Sequence, residues 1–235
     1  MATEGGPNIV TDKLSLILDA ANPKSYPGSG TTWGDLSGLN NNVTLVNGTS
    51  FNSSNLGSFE FDGTNDYASR SSNSTFALDG GDYTIDGWYY PTTLAASQTS
   101  LSLGIGGSQM RWVLGVGRAN GTVFFGTGTG TWAWAQNTTS TTGLIESDKW
   151  NNVTVVKNGT TLQIYVNSVI GHTVTSFNFG SGQSGNFYIG TYFVDYNSDG
   201  SYFEGKISSL RFYQGKALSQ TEIQQNYNAT KQRFK

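Results

Sequence analysis

The segment Phe203–Tyr227, FEGKISSLRFYQGKALSQTEIQQNY, constrains the fold more than any other stretch of the chain. Ile207–Tyr213 reads as a β-strand followed by a short loop. Ser219 and Glu222 then stand at the spacing of a capping box, in which each side chain satisfies a backbone N–H that the first helical turn leaves free. Leu218 and Ile223 fall at the two positions of a hydrophobic staple. The chain is therefore expected to pass from strand to helix at Ser219, with the helix running to about Thr230. Ile223 and Tyr227 lie four apart, so one helix face should close an edge of the domain.

Everything upstream is short β-type runs split by Gly and Asn. Val153–Val156 and Thr161–Val166 flank Asn158-Gly159, a hairpin signal, because Asn-Gly tolerates the positive φ of a type I′ turn. A second hairpin is expected to join Trp112–Gly117 to Thr122–Phe125 through Asn120-Gly121. Further strands are expected at Leu14–Leu18, Ser58–Phe61, Tyr83–Tyr89, Leu144–Ile145 and Phe187–Ile189. Frequent turns without alternating helices predict an all-β, two-sheet antiparallel sandwich with one short C-terminal helix. Trp33, Trp88 and Trp150 suit the space between the sheets. A length of 235 residues fits one such domain, which buries enough surface to fold with no cysteine in the chain. We divide it into an N-terminal arm, 1–13, and one domain, 14–235.

Charged residues are 12% of the chain, against about 25% in ordinary domains, so solubility falls to Ser, Thr, Asn and Gly. A net charge of −3 argues against nucleic acid, which calls for a basic stripe. No run of about 20 apolar residues is present, so no membrane span is expected. The opening MATEGGPNIVTDK shows no secretory signal. The Asn-x-Ser/Thr sequons, such as Asn42, Asn47, Asn152 and Asn158, are then read as products of an Asn/Thr-rich surface.

Several stretches carry a family pattern: Leu16–Pro27 (LILDAANPKSYP), Gly30–Gly38, Phe61–Tyr67 (FDGTNDY), Thr84–Trp88 (TIDGW), Trp150–Thr154 (WNNVT) and the C-terminal strand and helix. In this order they resemble laminin-G-like jelly-roll domains of the concanavalin-A-like lectin/glucanase superfamily, over about Leu14–Tyr227. The LDAANPKSYPGSGTTWGDLSG opening is similar to virion proteins of tailed bacteriophages. The resemblance implies a virion location, with other virion proteins as partners. It implies a non-enzymatic subunit, either a capsid decoration or part of the tail. The alternative it implies is an adhesin for host surface glycans. Homo-oligomers fit either setting.

Glucanases of this superfamily set two or three carboxylates on one strand, so that acid and nucleophile flank one bond. The nearest match is Glu60-Phe61-Asp62, which continues to Thr64 and Asp66 with no second glutamate. We therefore expect no catalytic residues and no enzyme. His172 is the one histidine, so no histidine-cluster zinc site can form within the chain. It is expected in a loop.

Asp195-Tyr196-Asn197-Ser198-Asp199-Gly200 matches the first half of a calcium loop. Lys206 stands where the closing carboxylate belongs, and Glu204 could bend in as a substitute. The segment reads as a calcium site built from Asp195, Asn197, Asp199 and Glu204, or as a plain polar loop. The family resemblance implies a rim calcium with an acidic residue in the strand that here reads Ile207-Ser208-Ser209, where serines depart from it. No other cofactor is expected. Trp112, Trp132, Trp134, Tyr192 and Tyr196 are the candidate carbohydrate-stacking rings; the competing reading puts them in the core or an oligomer interface. Gly126–Thr131 (GTGTGT) lacks the Lys-Ser/Thr and helix of a phosphate loop.

Overall fold

A computed structural model describes residues 7–71, 74–78, 81–105, 109–129, 133–180, 185–192 and 201–234. The strands are β1 (Leu14–Asp19), β2 (Thr32–Trp33), β3 (Val43–Val46), β4 (Ser50–Asn52), β5 (Ser58–Asp62), β6 (Tyr67–Arg70), β7 (Tyr83–Pro91) and β8 (Leu101–Ile105). They continue as β9 (Gln109–Arg118), β10 (Thr122–Gly128), β11 (Trp134–Thr139), β12 (Asn151–Asn158), β13 (Thr161–Val166), β14 (Val169–Val174), β15 (Asn186–Ile189) and β16 (Glu204–Gln214). The helix α1 spans Gln220–Thr230. The strands pair into two 8-stranded sheets. Sheet A runs β14-β13-β12-β7-β16-β5-β4, with β1 also on β16, and sheet B runs β11-β10-β9-β8-β15-β6-β3-β2. All the pairings are antiparallel, which is the expected two-sheet sandwich.

Strand alternation sorts the side chains. Ile85 and Tyr89 of β7, Val153 and Val155 of β12, and Leu210 and Phe212 of β16 turn inward to meet Trp33, Leu103, Trp112, Phe125 and Phe187 of sheet B in one core. Phe76 anchors it, stacked on Phe187 at 4.2 Å and edge-on to Phe212 at 5.3 Å.

The outer face of sheet A is covered by α1 together with residues near Val10 and Phe234. The capping box forms as expected, with Ser219 and Glu222 bonded to each other's backbone N–H. Leu218 and Ile223 pack with Val10, Val156, Tyr165 and Tyr213. Trp88 lies under this cover and not between the sheets: its Nε1 donates to Thr230 at 2.9 Å and its ring stacks on Phe234 at 4.1 Å. Trp150 is also a rim residue, 4.8 Å from Phe234. Of the expected arm, residues 7–13 are tied down: the Val10 N–H donates to Asn226 at 2.8 Å, and Tyr213 donates to the Val10 carbonyl at 2.9 Å.

Three local expectations shift. Asn158 pairs directly with Thr161, so the hairpin turn is Gly159-Thr160 with positive φ at Gly159 only, the pattern of a type II′ turn. Both turn residues take positive φ instead at Asn167-Ser168, between β13 and β14. Leu144–Ile145 is not a strand; it leaves Gly143, and the Ile145 N–H donates to the Gly121 carbonyl at 2.9 Å. His172 lies on edge strand β14, with Nε2 2.8 Å from the Thr138 hydroxyl of β11, the edge of the other sheet.

Candidate functional site

Among the described residues, no helix packs on the outer face of sheet B. Phe125 enters the core, so Phe124 turns outward and forms a second apolar cluster with Val113 and Tyr188, against which Tyr67 and Tyr192 pack. Trp134, on the edge strand β11, is 39% exposed. Its indole packs against Gly126, where a Cβ would collide with the ring. It meets Phe124 nearly edge-on, with centroids 5.2 Å apart. The Arg118 guanidinium sits 4.4 Å from the Phe124 ring centroid, and its Nε donates to the Ala96 carbonyl at 2.7 Å. Burial pulls Arg118 below its ordinary pKa, while the neighbouring Tyr192 hydroxyl acts against this. Arg118, Asn120, Thr122, Phe124 and Thr139 line a cavity of about 450 Å³ beside these rings. A half-exposed ring such as Trp134, beside hydroxyl, amide and guanidinium groups, can hold a ligand by stacking plus hydrogen bonds.

A second concavity, of about 400 Å³, is acidic and lies where β5 meets β16. Glu60, Asp62, Asp66, Glu204 and Lys206 line it. Glu60 is neutralised by Lys206 at 3.1 Å and accepts from Asn52 at 2.7 Å. Burial tends to raise the Glu60 pKa, but these partners hold it below its usual value. Asp66 is buried and clasps the loop, accepting the Gly48 N–H at 2.8 Å and the Asp62 N–H at 3.2 Å. Burial, with the Asp62 charge, pushes its pKa up. Burial raises Asp62 too, but the N–H groups of Thr64 and Asn65 outweigh it and leave its pKa lowered. The trio Glu60, Asp62 and Asp66 is thus engaged in holding strand and loop together.

The expected stacking rings separate. Trp112 is fully buried between the sheets, its Nε1 donating to the Phe76 carbonyl at 2.8 Å, and offers no face to a ligand. Trp134 and Tyr192 come together on the outer face. Trp132 and Tyr196 lie outside the described residues, as do Asp195, Asn197 and Asp199 of the calcium expectation. Glu204 is at the mouth of the acidic cleft, accepting from the Thr93 hydroxyl at 3.1 Å. Among the described residues, no three potential ligand side chains gather as a metal site. Ser208 stands at a register shift in β16, donating to the Gly57 carbonyl and accepting from Arg233 at 2.8 Å. Sequence reasoning missed Phe124, Tyr188 and Arg118. The alternation through Thr122-Val123-Phe124-Phe125 was the signal that one of the two phenylalanines must face outward.

Residues 62–224 match the Laminin_G_3 family of the concanavalin A-like lectin/glucanases superfamily, and the chain belongs to it. No curated protein matches the sequence. Solved structures share the fold at low identity. The botulinum neurotoxin type C structure described for its interaction with two ganglioside molecules is 17% identical, with a TM-score of 0.71 over 94% of this chain and 52% of that one. The botulinum neurotoxin DC binding domain in complex with rat synaptotagmin II is 15% identical, with a TM-score of 0.67 over 94% and 52%. Domain 4 of AbnA, an extracellular arabinanase from Geobacillus stearothermophilus, in complex with arabinotriose, is 15% identical, with a TM-score of 0.66 over 91% and 98%. The chain therefore spans about half the length of these toxin structures and nearly all of the arabinanase domain.

Proposed function

We propose that this chain is a non-enzymatic binding module that takes a glycan on the outer face of sheet B. The observation that carries this reading is Trp134, packed against Gly126 and left 39% exposed beside Phe124 and the Arg118 guanidinium. A ring held on a sheet edge and left partly exposed suits the apolar face of a sugar. The lectin-type family supports the reading, as do structural neighbours described with gangliosides, synaptotagmin II and arabinotriose. The carboxylates of the acidic cleft are engaged with Lys206, Asn52 and backbone N–H groups, which favours binding over hydrolysis.

Trp134→Ala should abolish retention on a responsive glycan array and leave the thermal midpoint within about 2 °C, since substitutions at exposed sites are usually worth under about 0.5 kcal/mol. Undiminished retention by the variant sinks the reading, as does release of reducing sugar that Asp66→Asn abolishes.

The setting we infer is the particle of a tailed phage, on the strength of the Leu16–Gly38 pattern. There the module would present sheet B to surface glycans while contacting other virion proteins or copies of itself. Mass spectrometry of purified particles tests the setting; absence of the chain from them removes it and leaves the binding reading standing.

A further inference from the structure

Two glycines on the outer face of sheet B make room for the two side chains that flank Phe124. Gly115 of β9 pairs with Phe124 of β10, and Phe124 with Thr139 of β11, so the three stand in one outward row. Gly126 lies two residues along β10, on the same face. A Cβ on Gly115 would stand 2.7 Å from the Arg118 Cδ, so the bare backbone there lets Arg118 fold back over the sheet. Gly126 does the same for the Trp134 ring. Phe124 thus has the guanidinium 4.4 Å from its ring centroid and the indole 5.2 Å from it. Indole and guanidinium lie no farther apart than these two distances together, a span that adjoining sugars of one chain can bridge.

Arg118 is held in place with part of its bonding capacity left over. Its stem packs over Gly115, its cation rests beside Phe124, and its Nε donates to the Ala96 carbonyl at 2.7 Å. Among the described residues, none accepts from its Nη1 or Nη2, and no carboxylate pairs with it. A guanidinium fixed this way loses little further freedom when a ligand arrives. Its two remaining nitrogens can grip an oxyanion through paired, charge-assisted hydrogen bonds.

The surroundings suit a sugar. Arg118 lines the cavity of about 450 Å³ together with Asn120, Thr139 and Ser140, and Thr142 closes it. Asn120, Thr139 and Thr142 are exposed, and they offer an amide and hydroxyls that can exchange hydrogen bonds with sugar hydroxyls. The cavity therefore lies toward edge strand β11 and the turn after β9, on the open side of the Phe124 cluster.

Building on the glycan-binding reading, we infer that the ligand is an acidic glycan: one sugar stacks on Trp134, and an oxyanion on that sugar or the adjoining one, a carboxylate or a sulfate ester, is held by Arg118. The test is affinity measured by calorimetry with matched acidic and neutral probes. These are tetrasaccharides of galacturonate, guluronate and mannuronate with their methyl esters, sulfated galactan tetrasaccharides with their desulfated forms, and an oligothymidylate of equal charge. At least one acidic probe should bind about tenfold more tightly than its neutral partner, which is about 1.4 kcal/mol. Preference for a uronate identifies a carboxylate, and preference for a sulfated galactan identifies a sulfate ester. Arg118→Gln should bring the acid down to the affinity of its neutral partner, and Arg118→Lys should keep only part of the preference. If Arg118→Gln does not fold, the wild-type ratio of acid to neutral affinity takes its place; it should shrink between about 0.1 and 1 M salt, and a constant ratio overturns the ion pair. A preference that survives Arg118→Gln overturns the assignment to this residue. Equal binding of acidic and neutral probes overturns the oxyanion subsite and leaves glycan binding intact. Oligothymidylate binding as tight as the best acidic glycan overturns it in favour of a general polyanion surface. Failure of every glycan, charged and neutral, overturns the underlying reading instead.

Discussion

Asp86 and Arg211 face each other on β7 and β16 with side chains 1% and 2% exposed and 2.6 Å between Oδ2 and Nη1. Asn152 and Thr154 donate to the other carboxylate oxygen at 2.8 and 3.1 Å. A pair so placed contributes little net stability but is costly to split, because the survivor is a buried charge. Asp86→Ala should therefore destabilise by about 3–5 kcal/mol in urea unfolding, and a loss under about 1 kcal/mol would show that Arg211 finds another partner. The same scale explains why single residues were hard to place from the sequence. Trp112 and Trp134 are both tryptophans in β-type runs, yet one is fully buried and the other 39% exposed. Burial of Trp112 is set by parity within β9, whereas exposure of Trp134 depends on its being on an edge strand, which no local pattern declares.

Among elements, the helix was the most readable, because a capping box and staple are interactions within a few residues. Hairpins were legible in existence but not in register: cross-strand pairing of Asn158 with Thr161 moved the turn by one residue. The edges carry the element-scale prediction. His172 on β14 bonds Thr138 on β11, joining the free edges of the two sheets. Burial lowers its pKa below the usual 6.5, so the fold favours the neutral ring. The unfolded chain then takes up the proton first as pH falls. Stability should decline as pH drops below about 6.5 and stop responding to this group once pH passes under the folded value. Denaturation midpoints of wild type and His172→Gln should converge across that window. A gap that stays constant between pH 7.5 and 5 would remove the edge-to-edge contact from the account.

For the whole molecule, two sheets and a core could be read from patterning and turns, and the family resemblance extended that to the jelly roll. Which residues come to lie in one sheet could not, because strands are dealt to one sheet and then the other. Arg70 and Arg118 are 48 positions apart in the chain and come into one sheet only after β6, β15, β8, β9 and β10 have paired. The covered face offers a matching control. Phe234 stacks on Trp88, and Arg233 bonds Asp19 at 2.9 Å, closing sheet A from behind. Phe234→Ala should lower stability by roughly 1–2 kcal/mol through lost apolar burial. Retention of glycan at low temperature should not change, and a parallel loss of both would mean that the two faces are coupled.

Residues 7–13 and the last turns of the chain lie together on α1 and the outer face of sheet A. Anything joined at residue 7 or residue 234 therefore attaches behind the molecule, and sheet B is held outward whichever end serves as the stalk. Copies anchored side by side would display their sheets in one direction, so a long polymer could bridge several at once. Weak contacts at each copy would then add up to durable adhesion.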